Sequence, residues 1–67
     1  MSVLKVVEIL SSSSESWEDA ANKAVAKAGE SLKGIRSVYV KEQTATVRDG
    51  KIAEYRVNVK LTFEVLD

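Results

Sequence analysis

The sequence predicts an α+β fold, a β-α-β-β subunit in which a three-stranded antiparallel-type mixed sheet of order 1-3-2 packs on one helix. Three observations predict it. The chain opens with β-branched residues, a pattern of helical period follows, and the second half holds two long strand-like stretches around an Asp-Gly turn. With 67 residues, the chain is expected to form a single domain, 1–67.

The first strand is predicted at Val3 to Leu10, where β-branched residues dominate and each face carries one polar residue. A run of four serines, Ser11–Ser14, then precedes the helical pattern. Ser12 and Glu15 have the spacing of a capping box, although Ser13 is an equally good cap. A flexible linker is the alternative interpretation, but the run is short and the helical pattern begins at once, which favours the cap.

The helix is predicted from Trp17 onward for about twenty residues, because apolar side chains recur there every three or four positions. These positions are Trp17, Ala21, Ala24, Ala28, Leu32 and Ile35, with Ala20 and Val25 widening the stripe. Alanines in the stripe predict a close approach to the sheet. Gly34 is the expected left-handed residue after the helix.

A hairpin is predicted for the second half, because Ile35–Arg48 and Lys51–Leu66 flank the dipeptide Asp49-Gly50. A type I′ turn requires positive φ at both central residues, and this dipeptide is among those that it prefers. A two-residue turn predicts three cross-strand pairs, which are Val40 with Val59, Val38 with Leu61, and Thr44 with Tyr55.

The last strand alternates strictly between apolar and polar residues from Tyr55 to Val65, so one of its faces should carry the helix. The other face should be polar. On it the sequence predicts Ser37, Tyr39, Lys41 and Gln43 opposite Thr62, Lys60, Asn58 and Arg56.

Self-association is predicted from the small size of the core. A core of this size rarely supplies more than about 3 to 5 kcal/mol, and the chain has no Cys or His for disulfides or zinc. The last strand can reach about 50 Å, whereas a twenty-residue helix covers about 30 Å. The hairpin should therefore overhang its cover and pair with neighbouring subunits.

Enzymatic activity is not expected, because the chain lacks the commonest general base and nucleophile and its carboxylates fall in no catalytic pattern. Two carboxylates from different subunits could hold Ca²⁺ on an oligomer axis. Glu18 and Asp19 are the candidates for such a metal site. Favourable electrostatics at the helix start is the alternative reason for this acidic pair.

The charge balance and the hydropathy pattern predict the cellular setting. Ten basic residues balance ten acidic ones, so neither nucleic acid nor an anionic membrane is an expected partner. A membrane span needs about 18 to 20 apolar residues, and the first ten residues carry charges where a signal peptide would be apolar. We therefore expect a cytoplasmic protein.

The single Trp and the single Phe have two interpretations, as core residues or as stacking platforms for a planar ligand. Trp17 opens the buried stripe and Phe63 lies on the helix-facing side of the last strand, which favours the core. Arg56 on the opposite face can stack on a ring or bind phosphate, and an interface salt bridge is the alternative.

Several segments together resemble the dodecins. They are SWEDAANKAVAKA on the helix, VYVKEQ at the start of the second strand and DGKIAEYRVNVKLTFEV across the hairpin. The resemblance covers almost the whole chain. It implies the β-α-β-β fold already predicted and a hollow homododecamer of cubic symmetry that binds flavins in pairs near subunit interfaces.

The resemblance also implies where a ligand would bind. Flavin-binding dodecins have a stacking Trp at the start of the second strand and a hydrogen-bonding Gln in the third, and Ser37 and Arg56 stand at these positions. The chain is therefore similar to the dodecin-like branch without the Trp, in which ion-binding members are known. We expect weak binding of FMN or riboflavin near Ser37, Arg56, Tyr39 and Gln43. The alternative is a structural or calcium-binding dodecamer without flavin.

Overall fold

The computed structural model describes residues 3–65, with the elements in the predicted order. They are β1 (Leu4–Ser13), α1 (Trp17–Ala28), β2 (Ile35–Arg48) and β3 (Lys51–Glu64). Leu66, the predicted end of β3, lies outside the described residues. Within the described part of the chain, no helix is long and apolar enough to cross a membrane.

The sheet has the predicted order β1-β3-β2, with β3 in the centre. Both pairings are antiparallel. The pairing of β1 with β3 runs from Leu4 opposite Glu64 to Ser13 opposite Tyr55. The return strand of the hairpin thus lies between the other two, and the predicted fold class is confirmed.

The junction between β1 and α1 differs from the prediction. Neither Ser12 nor Ser13 caps the helix, because both extend β1 and pair with β3. The cap is Ser16, whose extended backbone precedes the helix and whose Oγ accepts a hydrogen bond from the backbone N–H of Asp19 at 2.9 Å. Ser13 is buried, and its Oγ accepts the backbone N–H of Glu15 at 2.9 Å. Ser11–Ser13 therefore belong to β1 rather than to a linker, and the cap is a serine beyond the run.

The helix is shorter than predicted, with 12 residues instead of about twenty. It ends at Gly29, a poor helix former whose N–H donates to the carbonyl of Val25. Gly34 has the expected positive φ of 78°, but it introduces β2 instead of closing the helix. Its carbonyl accepts the backbone N–H of Glu64 at 2.9 Å, which brings the chain alongside β3.

The core lies between α1 and the apolar side of β3. Its buried members are Ala20, Ala24 and Ala28 from the helix and Val57, Val59 and Leu61 from the strand. Ala20, predicted at the margin of the apolar stripe, lies at its centre, whereas Ala21 is half-buried. Leu32 and Ile35 pack against this core although both lie beyond the helix.

The hairpin turn has the predicted type I′ character, because φ is 53° at Asp49 and 74° at Gly50. Val40 pairs with Val59, as predicted. The predicted pairing of Thr44 with Tyr55 is wrong.

The reason is an irregularity between Thr46 and Val47, where Ala53 is an extra residue of β3 and the register shifts by one. A second irregularity, between Val40 and Glu42, inserts Lys41 as an extra residue of β2 and restores the predicted register at Val40. Thr44 therefore lies opposite Arg56, and the neighbouring Ala45 lies opposite Tyr55.

The sheet extends well beyond its helix, as predicted. A 12-residue helix covers about 18 Å, whereas the 14 residues of β3 span about 46 Å. Beyond the last β1 pair, Ser13 with Tyr55, the hairpin continues as two strands, residues 46–54, which we call the arm. Val47 and Ile52 pair with each other on the arm and are 68% and 48% exposed.

Candidate ligand-binding site

The sheet face away from α1, which we call the open face, carries the candidate site. Cross-strand partners in an antiparallel sheet lie on the same face, so the register identifies its members. They are Leu4, Val6, Glu8, Leu10 and Ser12 from β1, Ser37, Tyr39, Glu42 and Thr44 from β2, and Arg56, Asn58, Lys60 and Thr62 from β3. The face is polar along β3 and partly apolar along β1.

The irregularity at Lys41 changes which residues of β2 reach this face. Gln43 lies opposite Val57, on the side that the helix covers, so its predicted place on the open face is wrong. Glu42 and Thr44 take its place, opposite Asn58 and Arg56. The sequence contained a signal for this change, because the valines before the irregularity, Val38 and Val40, have even numbers, whereas Ala45 and Val47 after it have odd numbers.

A concavity of about 250 Å³ lies on the open face where β1 and β2 flank the middle of β3. Its lining residues include Leu10, Ser12, Glu42, Thr44, Arg56 and Asn58. They form two neighbouring rows across the sheet. Ser12, Arg56 and Thr44 form one row, and Leu10, Asn58 and Glu42 form the other.

Asn58 lies beside a charged pair at the edge of this concavity. A side-chain hydrogen bond from Asn58, and then the positive charge of Lys41, hold the pKa of Glu8 below its ordinary value. The Nζ of Lys41 lies 3.6 Å from a carboxylate oxygen of Glu8. The Oδ1 atom of Asn58 is buried and has no hydrogen-bond partner among residues 3–65. Asn58 thus holds a buried acceptor without a donor among the described residues.

The predicted ligand residues Ser37, Tyr39 and Arg56 are all on the open face, but they are not close together. Ser37 lies opposite Thr62, six residues from Arg56 along β3, which corresponds to about 20 Å. Tyr39, which is 63% exposed, lies opposite Lys60 between them. One subunit therefore cannot present Ser37 and Arg56 to the same small ring system.

The predicted metal candidates, Glu18 and Asp19, lie in the first turn of α1. The carboxylate of Asp19 accepts a hydrogen bond from Ser13 Oγ and lies 3.3 Å from Lys23 Nζ. The hydrogen bond from Ser13, and then the interactions with Lys23, lower the pKa of Asp19. Within residues 3–65, no three acidic side chains gather as a metal site, so these two residues gain no further acidic ligand there.

Trp17 joins the start of the helix to the hairpin. Its indole N–H donates to the backbone carbonyl of Thr44 at 2.8 Å. Its ring meets that of Tyr55 edge-on, with 4.8 Å between the centroids. It also packs against the core, which confirms the structural interpretation of this residue. Phe63 is half-buried near the end of β3.

The sequence model of the dodecin family matches residues 3–66. This chain belongs to the dodecin family. Its β-α-β-β subunit and sheet order match those of solved dodecins. A dodecin from Thermus thermophilus, in an arginine-to-alanine variant, superimposes with a TM-score of 0.95 and 30% identity, over 100% of both chains.

Other relatives include one named for calcium. The chain is 38% identical, over 65 residues, to the calcium dodecin of Mycobacterium tuberculosis. The alignment covers 97% of this dodecin and 92% of that protein. A crystal structure of that calcium-chelating antigen, described with a novel calcium-binding site, matches with a TM-score of 0.82 and 40% identity, over 96% and 91% of the two chains. The Streptomyces coelicolor dodecin matches with a TM-score of 0.93 and 24% identity, over 98% of this chain and 94% of that one. This match supports the fold alone.

Proposed function

We propose that this dodecin assembles into a closed homododecamer that binds small ligands and catalyses no reaction. The observation that carries this proposal is the mismatch between sheet and helix. The arm has no cover within the described residues, and Leu10 and Tyr39 on the open face are 74% and 63% exposed. Neighbouring copies would bury these apolar side chains and the outer edge of β2. The number twelve rests on the family resemblance.

The ligand that we propose is a flavin, held weakly. Ser37 stands where the resemblance places a stacking Trp, and the chain's single Trp, Trp17, is held by the core and by Thr44. These positions support membership of the branch without the stacking Trp. Because Ser37 and Arg56 lie about 20 Å apart on one subunit, a flavin that touches both positions needs a second subunit.

Calcium binding is the second candidate, and the similarity to calcium dodecin favours it. Ca²⁺ takes six to eight oxygen ligands. Since Glu18 and Asp19 gain no third acidic neighbour within residues 3–65, copies around a symmetry axis would supply the other ligands. In this case the protein should retain calcium during purification and melt at a higher temperature with calcium than with magnesium. Equal melting with both ions, and no retained calcium, would exclude it.

The flavin proposal is tested by titrating riboflavin into wild type and Ser37→Trp and following fluorescence quenching. The added indole contributes about 0.5 to 1.5 kcal/mol of stacking beyond its buried area, so we expect at least about tenfold tighter binding in the variant. Ser31→Trp, which adds an indole to the exposed turn after α1, is the matched control and should bind like wild type. Nanomolar riboflavin binding by wild type would contradict the assigned role of Ser37.

The remaining parts of the proposal concern the setting. We expect the dodecamer in the cytoplasm. The equal numbers of basic and acidic residues give it no net attraction to nucleic acid or to anionic membranes.

A further inference from the structure

We propose that Asp49 is a site of spontaneous modification, where the aspartate isomerises to isoaspartate through a cyclic succinimide formed with Gly50. The two residues form the turn at the tip of the arm, and both are exposed. The ring closes between the side-chain Cγ of an aspartate and the backbone nitrogen of the following residue. The freedom of these two groups therefore decides whether the reaction takes place.

The nucleophile is the backbone nitrogen of Gly50. Glycine has no Cβ, so no side chain shields this nitrogen or hinders the rotation that brings it to Cγ. A Cβ atom built there would meet no other atom within 4 Å, so the space around the turn is open. Arg48 pairs with Lys51 across the turn, and no turn or loop hydrogen bond among residues 3–65 uses the Gly50 N–H. The nitrogen can therefore attack without breaking a hydrogen bond.

The carboxyl group of Asp49 is equally unconstrained. It forms no ion pair and no side-chain hydrogen bond with any other residue in 3–65. The tip, residues 48–51, has three charged side chains and no apolar one. Charged residues are depleted from the centres of protein interfaces, so a neighbouring copy that covers Val47 and Ile52 would leave the tip in water.

A second aspartate of the same chain, Asp19, shows what prevents the reaction. Its carboxylate accepts a hydrogen bond from the Ser13 hydroxyl and lies 3.3 Å from Lys23 Nζ. The nitrogen that would attack belongs to Ala20, and it donates to the carbonyl of Ser16 at 3.1 Å. Ring closure there would break these interactions and distort the first turn of α1. This aspartate should therefore stay unchanged while the turn isomerises.

The reaction balances with water as the only co-reactant. A bond forms between the Gly50 nitrogen and Asp49 Cγ, and one carboxyl oxygen leaves as water with the amide proton and a proton from solvent. A water molecule then opens the ring. Its attack at Cγ restores aspartate. Its attack at the backbone carbonyl carbon of Asp49 breaks the bond from that carbon to the Gly50 nitrogen and leaves isoaspartate, in which the main chain runs through the side chain.

Isoaspartate lengthens the main chain of the turn by one carbon atom. A type I′ turn joins its strands through two residues at positive φ, here 53° and 74°, and the longer link does not fit this geometry. The cross-strand pairs of the arm depend on the turn, because β1 does not reach them and a two-stranded hairpin is marginal alone. The modification should therefore loosen the arm. It should also weaken contacts between copies, an effect that rests on the assembly proposed above.

The experiment is peptide mapping of wild type and Asp49→Glu, both fresh and after several weeks at physiological temperature and pH. A protease that cleaves after glutamate places the turn in peptide 43–54 and the comparison site in peptide 19–30. We expect aged peptide 43–54 of wild type to split into two chromatographic peaks of equal mass, with isoaspartate in the new one, whereas peptide 19–30 stays single. In Asp49→Glu the ring would be larger and close much more slowly, so no second peak should form.

Two results would overturn the site. One is a single peak for aged peptide 43–54, and the other is equal isomerisation at Asp19 and Asp49, which would show that the fold does not select the residue. Melting followed by circular dichroism tests the effect on the arm. Aged wild type should melt at a lower temperature than fresh wild type, whereas Asp49→Glu should not change with age. Isoaspartate without any change in melting would overturn the effect on the arm.

Light scattering of the same samples separates this inference from the proposed assembly. Fresh protein that is already monomeric contradicts the dodecamer and leaves the isomerisation to be decided by the peptide map. An assembled mass that falls only as isoaspartate accumulates supports both. An unchanged mass in fully isomerised protein would overturn the effect of the modification on the contacts between copies.

Discussion

Replacing Gly50 with Val tests the hairpin turn on which the arm depends. Gly50 has a φ of 74°, and a Cβ atom added there would meet no other atom within 4 Å. A clash therefore contributes nothing, and the cost comes from the backbone conformation. An L-residue in the left-handed region costs about 1 to 2 kcal/mol, and a β-branched side chain places it at the upper end or beyond.

The expected change in melting temperature follows from this cost. The lower entropy of the unfolded variant returns about 0.4 to 1 kcal/mol, which leaves a net loss of roughly 1 to 2 kcal/mol. In a domain of this size 1 kcal/mol corresponds to about 4 to 8 °C, so Gly50→Val should melt roughly 5 to 15 °C lower. Circular dichroism at one fixed subunit concentration measures this shift, since association makes melting concentration-dependent.

Two variants control for the added side chain. Gly50→Asn adds a side chain that tolerates positive φ and should melt close to wild type. Lys51→Val places the same branched side chain one residue later, in the ordinary backbone of β3. If Gly50→Val melted at the wild-type temperature, the left-handed turn assigned to Asp49 and Gly50 would be wrong.

Two further predictions concern the core and the start of the helix. Leu61→Ala removes a side chain that is 0% exposed and should destabilise the protein by about 2 to 5 kcal/mol, measured by urea unfolding; a loss below 1 kcal/mol would show that the core lies elsewhere. Folding lowers the pKa of Asp19, so its ionised carboxylate stabilises the folded state. This stabilisation is complete above the pKa of the unfolded state, about 3.9, and is lost as pH falls through the lower pKa of the folded state. Asp19→Asn should therefore lose less stability than wild type on acidification below about pH 4, and parallel melting curves from pH 2 to 6 would contradict this.

The fold was predictable from the sequence wherever the pattern reports burial. The alternation of β3 and the Asp49-Gly50 dipeptide together determine the hairpin and the apolar side of the sheet. The same kind of pattern misplaced the end of the helix. Leu32 and Ile35 do pack on the core, but they reach it from a turn and a strand, because periodicity reports which side chains are buried and not how the backbone reaches them.

The candidate site was less predictable, because it depends on the register. One extra residue at Lys41 exchanges the faces of every β2 residue after it, so Gln43 was expected on the open face and Thr44 was not. Arg56 was identified from the sequence because β3 has no irregularity between it and the core. Its neighbour Ser12 became a candidate only when the pairing of β1 with β3 was known.

The mass of the assembled protein in solution tests the central claim most directly. Light scattering across a size-exclusion column, at micromolar subunit concentration, should give a single species of about twelve times the 7.3 kDa subunit mass. The uncovered arm and the apolar residues of the open face would then be buried between copies. A folded, monodisperse monomer under these conditions would contradict the claim, because it would show that a sheet longer than its helix is stable without neighbours.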